Sequence, residues 1–399
     1  MAAPTPAAPP LALRAQRLTL SATAGVLNQA ARLRAQGRDL VDLGAGEPDF
    51  ATPDFITQTA IGALRAHDTK YTPTAGTAAL RRAIAEAHAR DFGSHYLPEQ
   101  VVVTSGGKQG LFDAINLLVD HGDEVLLPSP YWVSFRDQIV YAGGTPVLVP
   151  ATEENGFALS LAALERALSP RTRLILLNSP HNPTGAVYPP ELFRAVLALC
   201  RARRLWLISD ETYARLVYDT APYSVGCESG ASECVLLAGS LSKTYAMTGW
   251  RIGYLLAPRA LVDPIISLQS QSTGNPTTFA QAGAVAALTG PQDAVGAMLA
   301  AYRRRRDTLI AGLNQLEGVH CHLPQGAFYA FANVHDLLQR VHLEAPAALC
   351  QRLLEQAGLV SVPGEAFGSP SHLRFSFAAA DAVLAEALRR LKTFLSLLT

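Results

Sequence analysis

Cysteine and net charge are both scarce in this sequence, and each shortage excludes a class of protein. Five scattered cysteines, an odd number without a Cys-x-x-Cys pair, argue against a disulfide framework and predict reduced thiols in the cytoplasm. The 33 basic side chains balance the 33 acidic ones. Such a chain lacks the basic surface that nucleic acid or an anionic membrane requires, so we predict neither as a partner.

Long apolar runs are missing as well. No stretch of the sequence is apolar for long enough to span a bilayer, so we predict no membrane segment. The first residues, mostly alanine and proline, lack the charged segment and apolar core of a secretory signal. We therefore predict that residues 1–14 form a disordered tail.

Two short runs suggest binding sites at first sight, but we predict ordinary roles for both. His320, Cys321 and His322 carry metal-ligand side chains, yet neighbours on a strand point to opposite faces, so the three cannot converge on one ion. We read them as strand residues and predict no metal site. The four arginines of residues 303–306, followed by Asp307, are predicted to form a solvated helix face.

What is abundant is apolar sequence in short segments. Hydrophobic residues make up 49% of the 399-residue chain and charged residues only 17%, which suits a large core and two domains. Seven short apolar runs alternate with helix-length segments, which predicts an α/β fold with a mostly parallel seven-stranded sheet between helices. The runs are residues 101–103, 124–127, 145–149, 174–177, 205–208, 235–237 and 252–256.

The rest of the chain has a different pattern. A long helix over residues 292–316 and strands over 326–332 and 372–377 indicate a smaller α+β domain. We predict that this domain is built from both chain ends, residues 15–50 and 293–399, and that residues 51–292 form the large domain. In α/β sheets, ligands bind where the strands end.

A lysine follows the sixth predicted strand of the large domain. Lys243 ends the sequence Ser240-Leu241-Ser242-Lys243, just beyond a buried apolar run. Lysines normally stay in solvent, and one that is partly buried has a lowered pKa and forms Schiff bases. The two serine hydroxyls are candidates for binding a phosphate. By itself, the segment is equally compatible with a surface turn.

An acid and an amide follow two other predicted strands. Asp210 comes directly after residues 205–208, where it either points into the ligand crevice or caps a helix. Tyr213 lies three residues further on. Asn182 belongs to a turn with two prolines after residues 174–177. That turn is either a plain tight loop or a rigid support for the Asn182 amide.

Anion-binding and stacking groups occur in further loops. Gly107 and Lys108 belong to a Ser-Gly-Gly-Lys segment before a predicted helix, where backbone N–H groups bind anions. Trp132 offers a flat ring for stacking. Arg251 could pair with a phosphate. Arg374 lies in a predicted strand otherwise built from leucine and phenylalanine, where it needs a partner such as a carboxylate ligand.

The joint order of these groups fits a ring-shaped, phosphorylated aldehyde, and the sequence resembles a class I aminotransferase of the fold-type I pyridoxal-phosphate superfamily. Within it, the chain is most similar to the bacterial aspartate aminotransferase-like branch, which includes prephenate and aromatic aminotransferases. The resemblance covers nearly all of the chain after about residue 14. Its motifs are residues 46–50, 71–76, 182–185, 210–213 and 240–243, with Arg374.

The resemblance implies a role for each group. Lys243 is implied to bind pyridoxal 5'-phosphate as a Schiff base, Asp210 to pair with the protonated pyridine nitrogen, and Trp132 to stack on the ring. Tyr213 and Asn182 are implied to donate to the phenolic oxygen of the ring. Residues implied to bind the phosphate are Gly107, Lys108, Ser240, Ser242 and Arg251.

Arg374 and the Gly46 backbone are implied to bind the substrate carboxylate, with Trp132 and Asn182 beside it. Tyr71 is implied to reach the phosphate of a neighbouring subunit in a homodimer with shared active sites.

The implied reaction moves an amino group from an L-amino acid to a 2-oxo acid by a ping-pong mechanism. Lys108 matches a lysine implicated in holding an acidic side chain, which favours aspartate with 2-oxoglutarate. Ser21 and Thr23 are expected to form the adjacent wall. Aromatic or prephenate transamination stays open, as does a carbon–sulfur β-lyase on the same fold.

Overall fold

The computed structural model describes residues 11–18 and 22–397, without the side chains of residues 22–24 and 27. Most of the predicted tail lies outside these residues, although its last two residues, Leu13 and Arg14, belong to a helix. Ser21 and the Thr23 side chain also lie outside them. Within the described part of the chain, every helix is too short or too polar to cross a membrane.

The described helices are α1 (Leu13–Gln16), α2 (Ala22–Ala35), α3 (Asp54–Arg65), α4 (Ala78–Phe92), α5 (Gly107–Leu118), α6 (Val133–Ala142), α7 (Leu161–Ala167), α8 (Pro190–Arg203), α9 (Ala231–Cys234), α10 (Leu241–Thr244), α11 (Arg259–Ser270), α12 (Thr278–Thr289), α13 (Asp293–Leu313), α14 (His335–Arg340), α15 (Pro346–Arg352) and α16 (Asp381–Ser396). The described strands are β1 (Val41–Asp42), β2 (Val101–Thr104), β3 (Glu124–Ser129), β4 (Thr145–Pro150), β5 (Thr172–Asn178), β6 (Trp206–Asp210), β7 (Val235–Ser240), β8 (Gly253–Leu256), β9 (His320–Cys321), β10 (Tyr329–Asn333), β11 (Leu359–Val360), β12 (Val362–Pro363) and β13 (His372–Ser376).

The predicted seven-stranded sheet is confirmed. Its order is β2-β8-β7-β6-β5-β3-β4, and each of the seven predicted apolar runs supplies one strand. Neighbouring strands from β4 through β3, β5 and β6 to β7 are parallel, and β8 is antiparallel to both β7 and β2. The sheet is therefore mostly parallel, and the carboxyl ends of six strands meet at one edge.

Burial on both faces explains why these strands read as nearly continuous apolar runs. In β5, Ile175 and Leu177 pack into the core on one side of the sheet, and Leu174 and Leu176 into the core on the other. A strand covered by helices on both faces has no position at which water would favour a polar side chain. The helical segments between strands supply that cover.

A second, antiparallel sheet has the order β12-β13-β10-β9, and β1 and β11 form a separate parallel pair. Its hydrophobic cluster combines Leu43 from near one chain end with Leu384 from near the other. The same cluster also contains Tyr213 and Leu216, which the predicted boundaries assign to the large domain. The division into 51–292 and 15–50 with 293–399 therefore stays a prediction.

The prediction that residues 303–306 form a solvated helix face is wrong for two of the four arginines. Arg305 and Arg306 lie in the middle of α13 and are buried. Arg305 donates to both carboxylate oxygens of Asp49, at 2.8 and 3.0 Å, and Arg306 donates to Asp219 at 2.6 Å. A buried guanidinium requires such partners, because an unpaired charge is costly away from water.

Candidate active site

One cavity of about 420 Å³ is lined by almost all of the site residues that were predicted from the sequence. It opens where β5, β6 and β7 end, as expected for an α/β sheet. The predicted residues that line it are Gly46, Gly107, Lys108, Trp132, Asn182, Asp210, Tyr213, Ser240, Ser242, Lys243, Arg251 and Arg374. Tyr71 is the exception, since it is 98% exposed and does not line the cavity.

Lys243 projects into this cavity from the short helix α10, which directly follows β7. Its amine donates a hydrogen bond to the Gly46 carbonyl. Burial lowers the pKa of Lys243 to about 8, and the positive charges of Arg374 and Arg251 act in the same direction against the attraction of Glu47. Roughly a tenth of the amine is therefore unprotonated, and nucleophilic, at pH 7, whereas almost none would be at the ordinary pKa of 10.5.

Asp210 is the last residue of β6 and is buried at the cavity wall. One of its oxygens accepts a hydrogen bond from the Thr212 backbone N–H at 3.1 Å. Burial nevertheless raises the pKa of Asp210 to about 6, since it penalises the ionised form more than that bond favours it. A cation placed against this carboxylate would favour the ionised form and lower the pKa again.

Arg374 lies in β13 and is only 2% exposed. It donates to the Gly44 carbonyl and to the Asn182 side-chain oxygen, each at 3.1 Å, and its Nε has no hydrogen-bond partner. Burial lowers the pKa of Arg374. Among the described residues, no carboxylate pairs with this guanidinium, so its charge is directed to the cavity.

Asn182 is held on two sides by its neighbours. Its backbone N–H donates to the Asn178 side-chain oxygen at 2.9 Å, and its own side-chain oxygen accepts from Arg374. Asn178 in turn donates to the Asp210 carbonyl at 3.1 Å. With its oxygen taken by Arg374, the Asn182 amide turns its N–H groups elsewhere and can donate into the cavity.

One part of the cavity lining is suited to an anion. The helix α5 begins at Gly107, and Gly106 before it has a φ of 90°, a conformation that favours glycine. A Cβ on Gly106 would lie 2.1 Å from a guanidinium nitrogen of Arg251. Ser240 and Ser242 line the same region, with the Ser240 hydroxyl accepting from the Ser242 N–H at 3.1 Å. Free N–H groups, hydroxyls and a guanidinium are the donors that a phosphate requires.

Lys108 and Trp132 lie together in the cavity lining. The Lys108 amine is 5.0 Å from the centre of the Trp132 ring, and Trp132 itself packs edge-on against Phe135. Partial burial lowers the pKa of Lys108, and the charge of Arg251 adds to this effect. Among the described residues, no carboxylate forms an ion pair with Lys108. Arg374, Lys243 and Arg251 line the cavity without one as well.

Tyr329 was not predicted as a site residue, but it lines the cavity between Tyr213 and Arg374. Its hydroxyl lies 2.7 Å from the Tyr213 hydroxyl, and its ring lies 4.3 Å from the Arg374 guanidinium. Tyr329 falls within the predicted strand over 326–332, but only the pairing of β10 with β13 places it diagonally opposite Arg374. Glu47 also lines the cavity, and it lies within the motif of residues 46–50.

Comparisons with known proteins agree with this geometry. The family described as aminotransferase class I and II matches residues 38–391. A probable aspartate/prephenate aminotransferase of Aquifex aeolicus is 43% identical over 386 residues, covering 96% of this chain and 98% of the relative. An aspartate aminotransferase of Geobacillus stearothermophilus is 40% identical over 388 residues, with 96% and 98% coverage.

A solved structure gives the same result. The aspartate aminotransferase of Thermus thermophilus with maleate superposes with a TM-score of 0.92 at 41% identity, covering 97% of this chain and all of that one (100%). The predicted family, fold, enzyme class and cofactor are therefore confirmed. This chain belongs to the class I and II aminotransferase family and is a transaminase that uses pyridoxal 5'-phosphate and acts on amino acids and 2-oxo acids.

Proposed function

We propose that this enzyme transfers the amino group of aspartate to 2-oxoglutarate. The observation that carries the proposal is that Arg374 and Lys108 are left for the substrate. They are two of the four cations that line the cavity without an ion pair among the described residues, and the other two, Lys243 and Arg251, are those we assign to the cofactor aldehyde and to its phosphate. A dicarboxylate would pair with both Arg374 and Lys108. The Thermus thermophilus neighbour was solved with maleate, itself a dicarboxylate, and the similar proteins are named for aspartate or for aspartate and prephenate.

The cavity residues fit pyridoxal phosphate. Asp210 is a buried acid that a protonated ring nitrogen would keep ionised. Lys243 is an amine with a pKa of about 8 that can bind an aldehyde. The backbone at Gly107, with Ser240 and Arg251, would hold the phosphate, and Trp132 would stack on the ring. When bound, the cofactor supplies an aldehyde that binds amines and a ring that accepts electrons from the substrate.

Lys243 is then the group that moves the proton. Its lowered pKa lets the amine accept the proton at the substrate Cα near neutral pH and return it later in the reaction. Asp210 would keep the ring nitrogen of the bound cofactor protonated, because its buried carboxylate forms no ion pair among the described residues. Arg374 fixes the α-carboxylate, and the carbonyl of Gly46 orients the Lys243 amine.

Asn182 and Tyr213 act as hydrogen-bond donors in this proposal. The Asn182 oxygen accepts from Arg374, so its amide N–H groups are free to donate to the ring oxygen of the cofactor. Tyr213 can do the same if Tyr329 donates to it, since either hydroxyl can be the donor in that pair. Burial also raises the pKa of Tyr213 well above its usual value, so the hydroxyl keeps its proton.

The test is a panel of amino donors assayed with 2-oxoglutarate. We expect aspartate to give the highest kcat/KM, and no activity with aspartate would refute the proposal. Prephenate and aromatic 2-oxo acids belong in the same panel, because relatives are named for aspartate and prephenate. Release of pyruvate from a cysteine conjugate without any 2-oxo acid would instead indicate a β-lyase.

We also propose that the enzyme is a homodimer with shared active sites. Tyr71, which the resemblance assigns to the phosphate of the neighbouring subunit, is 98% exposed and lies on the loop between α3 and α4. A fully exposed tyrosine leaves its apolar ring in water unless another surface covers it. This supports a partner chain over Tyr71.

The five cysteines are all unpaired, which supports the proposed cytoplasmic location.

Mixing two inactive variants tests the shared site. Tyr71→Ala and Lys243→Ala each impair every site in their own dimers. A hybrid dimer, in contrast, contains one site with the Lys243 of one chain and the Tyr71 of the other. We expect activity to recover after the two are denatured and refolded together. Sedimentation of a monomer, or no recovery despite hybrid dimers, would contradict the proposal.

A further inference from the structure

A second group of ligand-type side chains lies outside the cavity. His320 belongs to β9, His322 follows it, and Glu153 lies in a 3₁₀ turn after β4. The ligand atoms of the three side chains all lie within 4.8 Å of one another. His320 is exposed and the other two are partly exposed. The site is therefore open to an ion from solution.

The local backbone explains this convergence. Side chains alternate along β9, so Cys321 turns into the core while His320 and His322 share the outer face. The three consecutive residues do not converge, as the sequence predicted, but the two histidines do. Their third partner, Glu153, is 167 residues away in the chain.

Glu153 is oriented by two further side chains. Its Oε2 accepts hydrogen bonds from Asn333, the cross-strand partner of His320, and lies 3.2 Å from His372 Nε2. Its other oxygen, Oε1, is thereby directed at the two histidines. Carboxylates that bind metals are commonly held by such hydrogen bonds on the oxygen's outer side, and loss of these bonds weakens metal binding.

The spacing of the ligand atoms suits a metal site. Oε1 lies 2.9 Å from His320 Nδ1 and 4.0 Å from His322 Nε2. Tetrahedral zinc, with bonds of about 2.0–2.1 Å, separates its ligand atoms by roughly 3.3 Å. The observed distances bracket that value, so rotations of exposed side chains would suffice.

We propose that Glu153, His320 and His322 bind one zinc ion, with water as the fourth ligand. Two imidazoles and one carboxylate are ligands that zinc prefers, whereas magnesium and calcium prefer oxygen alone. The ion would join the turn after β4, at the edge of the large sheet, to β9, at the edge of the four-stranded sheet. Because it binds the folded chain, zinc raises the temperature of unfolding.

Calorimetric titration of the untagged, cofactor-loaded enzyme with zinc chloride tests the proposal. We expect the double variant His320→Ala/His322→Ala to bind one zinc ion fewer per chain, or to bind it at least about tenfold more weakly. Glu153→Gln, which keeps the shape of the side chain, should show the same loss. Both variants should keep full transaminase activity, because these residues lie outside the cavity.

The matched control is His95→Ala/His121→Ala, which removes two exposed histidines from other parts of the chain. It should bind zinc as the wild type does. Anomalous diffraction at the zinc edge should place the ion between the three side chains. A wild type that binds no zinc, or zinc binding that is unchanged in the double variant, would overturn the proposal.

Discussion

Two regions of this molecule bury arginine side chains, and they treat the charge in opposite ways. In α13, Arg305 and Arg306 are enclosed by the carboxylates of Asp49, Asp381 and Asp219. In the cavity, Arg374 is buried as deeply and receives no carboxylate from the described residues. A charge that is buried and paired within the chain stabilises the fold, and one that is buried and unpaired is available for a ligand.

This difference also separates structural and functional cations in other positions. Lys243 and Lys108 resemble Arg374, because among the described residues neither forms an ion pair. For each, burial works to lower the pKa. For Arg305, hydrogen bonds and charge from Asp49 and Asp381 outweigh burial and raise the pKa. The direction of the pKa shift thus distinguishes the two regions.

The largest expected effect comes from removing one arginine from each region. Arg374→Leu should lower kcat/KM about 10²–10³-fold for every amino donor, because the substrate carboxylate loses a buried partner. Its free energy of unfolding should change little, since the variant also removes an uncompensated buried charge. Arg305→Leu should leave kcat/KM within a few fold but lower the free energy of unfolding by about 2 kcal/mol, because Asp49 loses its partner.

Steady-state kinetics and urea unfolding of the cofactor-free proteins measure the two quantities. The comparison fails if Arg374→Leu unfolds as easily as Arg305→Leu while keeping its activity. It also fails if Arg305→Leu loses activity without losing stability.

A smaller effect is expected from Lys108→Leu. The variant should lose about tenfold to a hundredfold in kcat/KM for aspartate, because a charge-assisted hydrogen bond to the distal carboxylate disappears. Transamination of phenylalanine, which has no such carboxylate, should be unchanged. If Lys108 instead serves mainly the phosphate, both donors should suffer equally and the affinity for pyridoxal phosphate should fall. Lys392→Leu, an exposed lysine on α16, is the matched control.

The large sheet could be predicted well from the sequence, because each of its strands forms a short apolar run that is visible in neighbouring residues. Leu174 to Leu177 form an apolar run since both faces of β5 are covered, and the same holds for the other strands. The motif residues follow these strands directly, so their order along the chain was enough to bring Asp210, Asn182 and Lys243 to one edge.

What the sequence missed depends on contacts between distant segments. Arg305 was predicted to be solvated because its partner Asp49 is 256 residues away. Tyr329 was not nominated, since only the register of β10 against β13 places it beside Arg374. Glu153 approaches His320 through a similar long-range contact. No local pattern of apolar and polar residues reports such pairings.

The smallest expected effect is a dependence of stability on pH that comes from Lys243. In the cofactor-free protein, burial lowers its pKa to about 8, below the ordinary value of 10.5. Between these two values the unfolded chain holds a proton that the folded chain has released, so the free energy of unfolding rises with pH. Below about pH 8, the folded protein carries the buried charge and this contribution is lost. Lys243→Met lacks the group, so the wild type should gain stability relative to the variant as pH rises through this window.

Urea unfolding of the wild type and Lys243→Met, each without cofactor, at several pH values from 7 to 10 would measure this difference. Lys392→Met should follow the wild type, because its lysine is exposed. A difference that stays flat or falls with pH would mean that Lys243 is not an unpaired buried cation, and the proposed distinction between the two regions would not extend to lysine. If only the protein that contains Lys243 gains free energy of unfolding as the pH rises, the distinction between the two regions holds for lysine as well. Burying this amine without an ion pair lowers the stability of the fold, and it also leaves the amine free to react.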